Sequence, residues 1–224
     1  HYVEDLDQFY RQVVLPDCRG PHFLLAHSTG ALIALLASPM LTNRVRRMVL
    51  IAPFLAPTGL PLSPVGVRRL AAFLFWTGFG RMYAYGGPRP RERPPFATNR
   101  LTTDAQRFAR NIDLVTAHPG LGLGGPTVAW VRAACIASAR VQDPAFIERF
   151  RIPTLFIAAG ADEVVSKQAV QDYARAVKTG SLLTIDGARH EILQEADVYR
   201  EQALAAFDAF IPGSDAGMHA TTEM

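Results

Sequence analysis

His22-Phe23-Leu24-Leu25-Ala26-His27-Ser28-Thr29-Gly30-Ala31-Leu32-Ile33-Ala34-Leu35-Leu36 joins two apolar runs through a turn of small residues. The first run reads as a strand and the second as a helix, with Ser28 at the apex of the tight turn between them. Such a turn pushes the serine out of the sheet, where another side chain can reach it. It also crowds the positions two before and two after the serine, so small residues are expected there. Gly30 fits, and Ala26 stands one methyl group above the glycine of a G-x-S-x-G turn.

A serine hydroxyl is a weak nucleophile near neutral pH. It needs a base to take its proton and a third group to orient that base. Leu155-Phe156-Ile157-Ala158-Ala159 is an unbroken apolar run after Pro153, the pattern of a parallel strand buried on both faces, and Asp162 lies just past its end. Ser166 then caps a helix running to about Lys178 and stopped by Gly180. Ser181 to Ile185 is the next strand, and His190 follows it. In a strand–helix–strand unit both strands run the same way. Asp162 and His190 therefore emerge on the edge where Ser28 leaves its own strand, which is where open α/β sheets bind ligands. Taken singly, each residue has an ordinary reading: a chance turn, a helix-capping Asp, a solvated His. The order Ser…Asp…His, with each residue at a strand end, points to Ser28 as nucleophile, Asp162 as orienting acid and His190 as base. Glu163 and Asp186 are rival acids. His27 flanks the serine and reads as structural or pocket-lining, whereas His22 and His118 are assigned no chemistry. The backbone N–H of Thr29, the residue after the nucleophile, is the first donor of an oxyanion hole.

Four parallel-type strands are expected, at about His22–His27, Met48–Ala52, Thr154–Ala159 and Leu182–Ile185, and Tyr2 to Tyr10 reads as a helix. The stretch from about Ala56 to Glu148 interrupts this rhythm. It holds Leu70-Ala71-Ala72-Phe73-Leu74-Phe75-Trp76, a Pro/Arg-rich loop over Pro88–Pro95, and helices at about Asp104–Val115 and Thr127–Ala139. A helical insertion between core strands reads as a cap over the catalytic edge, shaping the pocket and excluding water. The expected organisation is thus a core over 1–55 with the serine turn, a helical cap over 56–150, a core over 151–213 with the acid and the histidine, and a disordered tail over 214–224. His27, Phe54, Phe75, Trp76 and Trp130 are the candidate substrate contacts, and Phe73, Phe79, Met82 and Tyr85 are further aromatic or apolar candidates for an acyl channel.

The 224 residues suit one domain, and 49% hydrophobic content with a mean hydropathy of +0.10 describes a rather apolar globular chain. Cys18 and Cys135 fit no metal or disulfide pattern and suit a reducing, cytoplasmic setting. Leu70 to Phe79 is too short to span a bilayer. The net charge is only +3, yet between Phe54 and Phe150 there are twelve Arg against five Asp or Glu. Apart from Lys167 and Lys178 every basic residue other than histidine is Arg, so codon bias is one reading of the surplus and attraction to an anionic headgroup or peripheral contact with an anionic membrane surface is the other. No nucleic-acid-binding motif accompanies the charge.

Phe23 through Gly30, Ile152-Pro153-Thr154-Leu155 through Gly160-Ala161-Asp162, and Gly187-Ala188-Arg189-His190-Glu191-Ile192-Leu193 resemble the monoacylglycerol lipase and lysophospholipase L2 group of α/β-hydrolases, which is also classed under serine aminopeptidase S33. Asn99-Arg100-Leu101-Thr102, Arg107-Phe108-Ala109-Arg110-Asn111, Leu123-Gly124-Gly125-Pro126-Thr127 and Trp130 resemble the bacterial lysophospholipase L2 cap. The resemblance covers nearly all of the chain except the tail. It implies an α/β-hydrolase fold, a parallel sheet flanked by helices with a helical cap insertion. It further implies a Ser28–His190–Asp162 triad, a lipid monoester as small-molecule substrate, and no cofactor or metal. In that fold the serine strand is normally the fifth of eight. Here it is the first, so the opening strands of the domain, and with them the loop giving the second oxyanion donor, are expected to be missing, and the serine strand is expected to become an apolar sheet edge. Alternatives from the same fold are an S33-type aminopeptidase, which needs an acidic group in a cap that is instead basic, and a general esterase. A non-catalytic hydrolase-fold binding protein or an inactive fragment is the alternative of another class.

Overall fold

The structure, a computed structural model, describes residues 1–59, 61–88 and 94–213. The expected tail over 214–224 and most of the Pro/Arg-rich loop lie outside the described residues. Four strands, β1 (His22–His27), β2 (Val45–Ile51), β3 (Thr154–Ala159) and β4 (Gly180–Ile185), form one sheet in chain order, each pair parallel. Ala26, Leu50, Phe156 and Leu182 share one row across it. The C-terminal ends therefore lie along a single edge, and the loops after β1, β3 and β4 start side by side.

A helical stretch opens the chain, α1 (Tyr2–Phe9) running through a π-helical turn at Tyr10–Val14 into α2 (Leu15–Asp17). Then come α3 (Thr29–Leu41), α4 (Pro64–Leu74), α5 (Ala105–Ala117), α6 (Val128–Val141), α7 (Pro144–Arg149), α8 (Lys167–Ala176) and α9 (Asp197–Phe210). Side chains along a strand alternate between faces. Met48, Leu50, Phe156 and Ala158 accordingly pack on one face with Leu35 and Leu41 of α3 and Val170 and Tyr173 of α8. Val49, Ile51, Leu155 and Ile157 pack on the other with Ile185, Ile192 and Ala203 of α9. Each large apolar side chain buried in these two clusters contributes about 1.5–3 kcal/mol. That coverage of both faces is why β2 and β3 read as continuous apolar runs.

Helix starts follow local chemistry. Asp104 Oδ1 accepts from Gln106 N and Arg107 N at 2.9 Å each, Thr127 from Trp130 N at 3.2 Å and Ser166 from Ala169 N at 3.2 Å. The helix α4 emerges where the sequence showed only an apolar stretch, its start set by Ser63, whose hydroxyl accepts from Gly66 N. It packs on α6, whose C-terminal half belongs to the core: Val141 is fully buried, the Ser138 hydroxyl donates to the Leu55 carbonyl, and Gln142 Nε2 donates to the same oxygen at 3.0 Å. At the other end of the sheet, β1 pairs only with β2 among the described residues, and Leu25 is 47% exposed.

Candidate active site

Ser28 closes β1 with φ 53° and ψ −118°, a conformation that a side chain adopts only under strain of about 1–3 kcal/mol. Hydrogen bonds from Ser28 N to Ile51 O at 2.9 Å and from Phe54 N to Ser28 O at 3.1 Å hold it there. The serine is also the N-cap of α3, so the Thr29 amide sits in the first turn, where N–H groups lack helical partners and the helix dipole is positive. The turn is less crowded than expected on one side. A Cβ added at Gly30 would meet nothing within 4 Å beyond its own helix backbone and chain neighbours among the described residues, and the residue is exposed.

The loops after β3 and β4 complete the arrangement. Their approach depends on Gly160, whose absent Cβ would lie 2.6 Å from Asp186 Cα and 2.8 Å from Ile185 O. Gly160 N donates to Ile185 O at 2.8 Å, and Ala161 N to Ala188 O at 2.9 Å. Asp162 and His190 thereby meet: His190 Nδ1 lies 2.8 Å from Asp162 Oδ2, and His190 Nε2 lies 2.8 Å from Ser28 Oγ. Both the carboxylate and the imidazole are buried. The second oxygen, Asp162 Oδ1, accepts from Val164 N at 2.8 Å and Val165 N at 2.9 Å, fixing the plane of the carboxylate. A carboxylate so placed accepts from Nδ1–H and leaves Nε2 free to accept from the serine hydroxyl.

Glu163 turns outward to Arg100 at 3.7 Å, and Asp186 is exposed, so neither rival acid reaches the histidine. His27 Nε2 lies 2.9 Å from the His190 carbonyl oxygen, and the two rings stand 4.9 Å apart. Burial pushes the His27 pKa down. The imidazole is thus held neutral, with Nε2–H donating to the carbonyl of His190. His22 bonds the Tyr10 hydroxyl at 2.8 Å, and His118 is exposed after α5.

The aromatic candidates separate into two pairs. Phe54 and Trp130 pack edge-to-face with centroids 5.9 Å apart, directly beside the serine turn through Phe54 N. Phe75 and Trp76 lie at the end of α4 beneath the Arg132 guanidinium, which stands 4.7 Å and 5.6 Å from the two rings. Trp76 is 75% exposed and Tyr85 80%, and Phe73, Phe79 and Met82 are exposed as well. A cavity of about 300 Å³ opens between His27, Asn111, Glu191, Leu193 and Gln194. Burial raises the pKa of Glu191, partly countered by the neighbouring His190. Glu191 and the fully buried Glu195 were not singled out in the sequence. An acidic residue in a polar loop looks solvated until the loop folds, and only the flanking apolar Ile192 and Leu193 hinted that this one turns inward.

A family model described as "Serine aminopeptidase, S33" (Hydrolase_4) matches residues 1–197. The lysophospholipase L2 of Escherichia coli (strain K12) is 32% identical over 220 residues, covering 93% of this chain and 63% of the relative. A probable lysophospholipase L2 of Haemophilus influenzae is 26% identical over 211 residues, covering 94% and 66%. The chain thus spans just under two thirds of the length of these curated relatives. The crystal structure of a Paleococcus ferrophilus monoacylglycerol lipase superposes with a TM-score of 0.64 at 20% identity, covering 92% of this chain and 72% of that one. The strand–serine–helix turn, the four parallel strands and the match over most of the sequence agree, and the chain belongs to the serine aminopeptidase S33 (Hydrolase_4) family with the fold of the α/β-hydrolases.

Proposed function

We propose that the chain carries the catalytic apparatus of a serine carboxylic-ester hydrolase acting on lipid monoesters, either a lysophospholipid or a monoacylglycerol. The observation that carries this reading is the buried relay Ser28 Oγ–His190 Nε2 and His190 Nδ1–Asp162 Oδ2, both links at 2.8 Å. His190 takes the proton as Ser28 Oγ attacks the ester carbonyl. The tetrahedral oxyanion forms beside the Thr29 N–H at the head of α3. Collapse breaks the bond to the alcohol oxygen, which receives the proton from His190, and leaves an acyl group on Ser28. His190 then deprotonates water, which attacks the acyl carbon and restores the serine. Asp162 keeps Nδ1 protonated and stabilises the imidazolium that forms twice in this cycle.

The names of the matched relatives and the apolar character of the insertion support a lipid ester. In this reading residues 56–150 act as the cap, Phe54 and Trp130 wall the acyl group near Ser28, and His27 lines the alcohol side. Phe75 and Trp76 contact substrate at the cap rim. The test is hydrolysis of a lysophospholipid and a monoacylglycerol of equal chain length by the protein and its Ser28→Ala variant. Serine-dependent turnover of either, reduced at least ~10⁴-fold in the variant, is expected. Turnover of neither, while short-chain esters react, would remove the lipid assignment. One observation bears on the aminopeptidase alternative: Glu191 is an acidic residue lining the cavity beside His27, where burial pushes its carboxyl toward the neutral form. Serine-dependent release of an aminoacyl chromophore with no esterase activity would decide for the aminopeptidase.

Within the insertion Phe73, Trp76, Phe79 and Tyr85 are exposed, and so are Arg68, Arg69 and Arg81. No helix among the described residues is long and apolar enough to cross a membrane. We read these exposed aromatic and basic side chains as a peripheral contact with an anionic lipid surface, where each Arg adds about 1 kcal/mol. Cosedimentation with vesicles rich in anionic lipid, released by salt and weakened in Trp76→Ala, is the expected result, and equal binding to neutral vesicles would contradict it.

A further inference from the structure

The loop that carries His190 is tied to the insertion through one buried carboxylate. Glu195 has no exposed surface, and the Arg107 guanidinium lies near enough to interact with its carboxylate electrostatically. Its two oxygens are divided between two parts of the chain. Oε1 accepts from the backbone N–H of Arg189, the residue before His190, at 2.7 Å. Oε2 accepts from Thr103 N at 2.8 Å and from the Thr103 hydroxyl at 2.5 Å, at the entrance to α5, and from Ala196 N at 3.2 Å. Around this joint the two segments are stitched further. Thr102, itself buried, donates its hydroxyl to Gln194 O at 2.7 Å, Glu191 N donates to Leu101 O at 2.8 Å, and Arg189 Nη1 donates to Asn99 O at 2.7 Å. Arg107, one turn into α5, donates to the Glu195 carbonyl and pairs with Asp197 at 2.5 Å. Burial alone would push the Glu195 carboxyl toward its neutral form. The donors from Thr103, Arg189 and Ala196 outweigh it and keep the group ionised.

His190 is thus fixed from three directions. Its own carbonyl is held by His27, the amide before it by Glu195, and the amide after it by Leu101 of the insertion. An ionised carboxylate is the one common side chain that can accept on both oxygens, so a neutral amide of the same shape must lose one side of the joint. We propose that Glu195 is a positioning residue: it sets the His190 loop for proton transfer and couples that setting to the Asn99–Asp104 segment of the insertion, which leads into α5. This rests on the proposed serine hydrolase reading, because it assigns His190 as the base.

The experiment is steady-state hydrolysis of a short-chain p-nitrophenyl ester by the protein, by Glu195→Gln and by Thr103→Val. Rates are normalised to the serine titrated to completion with a fluorophosphonate, so that only folded sites are counted. Glu195→Gln is expected to lower kcat per titrated site at least ~10-fold with KM within twofold, and to slow phosphonylation of Ser28 in parallel. Thr103→Val, which removes only the hydroxyl side of the joint, is expected to lower kcat about threefold, and it carries the test if Glu195→Gln does not fold. Unchanged kcat per titrated site in the folded variants, even with a lowered Tm, would reduce Glu195 to a structural residue and overturn the proposal. Failure of the hydrolase reading itself looks different: Ser28→Ala would then match the unsubstituted protein.

Discussion

A single hydrogen bond decides which tautomer His190 adopts. Asp162 accepts at Nδ1, and its other oxygen is saturated by the amides of Val164 and Val165, so it cannot rotate away to solvent. Asp162→Asn keeps the shape and most of these contacts but presents an amide that can donate to Nδ1, forcing the proton onto Nε2, where the serine needs an acceptor. A fall in kcat of about 10⁴ at neutral pH with little change in thermal stability is the expected outcome, read by ester hydrolysis and calorimetry. A variant that retains wild-type kcat would show that the carboxylate only fills space. The same residue-scale logic explains why Glu163, one position on, is no substitute: its carboxylate points to Arg100 on the surface.

Between elements, the contact that brings Asp162 and His190 together is one of backbone with backbone. Gly160 at the end of β3 lies against Asp186 and Gly187 after β4, closer than any Cβ allows, and Gly187 itself has φ +83° against the Tyr199 ring. Gly160→Ala must therefore push the two loops apart. The expected destabilisation is about 1–3 kcal/mol, measured by denaturant unfolding. The separation should also lower kcat, because His190 and Asp162 hang from the two displaced loops. Unchanged stability together with unchanged turnover would mean that the loops relax without moving either side chain. The anchoring of α3 follows a simpler rule, since Leu32, Leu35 and Leu41 are buried on the sheet and carry Ser28 at the helix head with them.

At the scale of the whole molecule, the sheet is covered unevenly. The strands β2 and β3 are buried on both faces, whereas β1 presents a free edge among the described residues, with Leu25 exposed beside it.

The four strands and the helices after Asp104, Thr127 and Ser166 were legible in the sequence. Apolar runs bounded by Gly, Pro and capping residues are local signals, and a strand that must be buried on both faces cannot disguise its composition. Ser28, Asp162 and His190 could be nominated for a related reason. In a parallel sheet every strand end points to the same edge, so chain order alone brings the three loops together. The helix at Pro64–Leu74 was seen only as an apolar stretch, because its amphipathic face has meaning only against α6. Glu195 and Glu191 stayed invisible, as did the outward turn of Trp76. Whether a polar side chain is solvated or sealed, and whether an aromatic faces a site or the solvent, depends on residues about 90 positions away, such as Thr103 beneath Glu195. The sequence by itself determined the order of the elements and the candidate chemistry. Tertiary structure alone decided which carboxylates are buried and what holds them, because burial is a property of long-range contacts and not of the local chain.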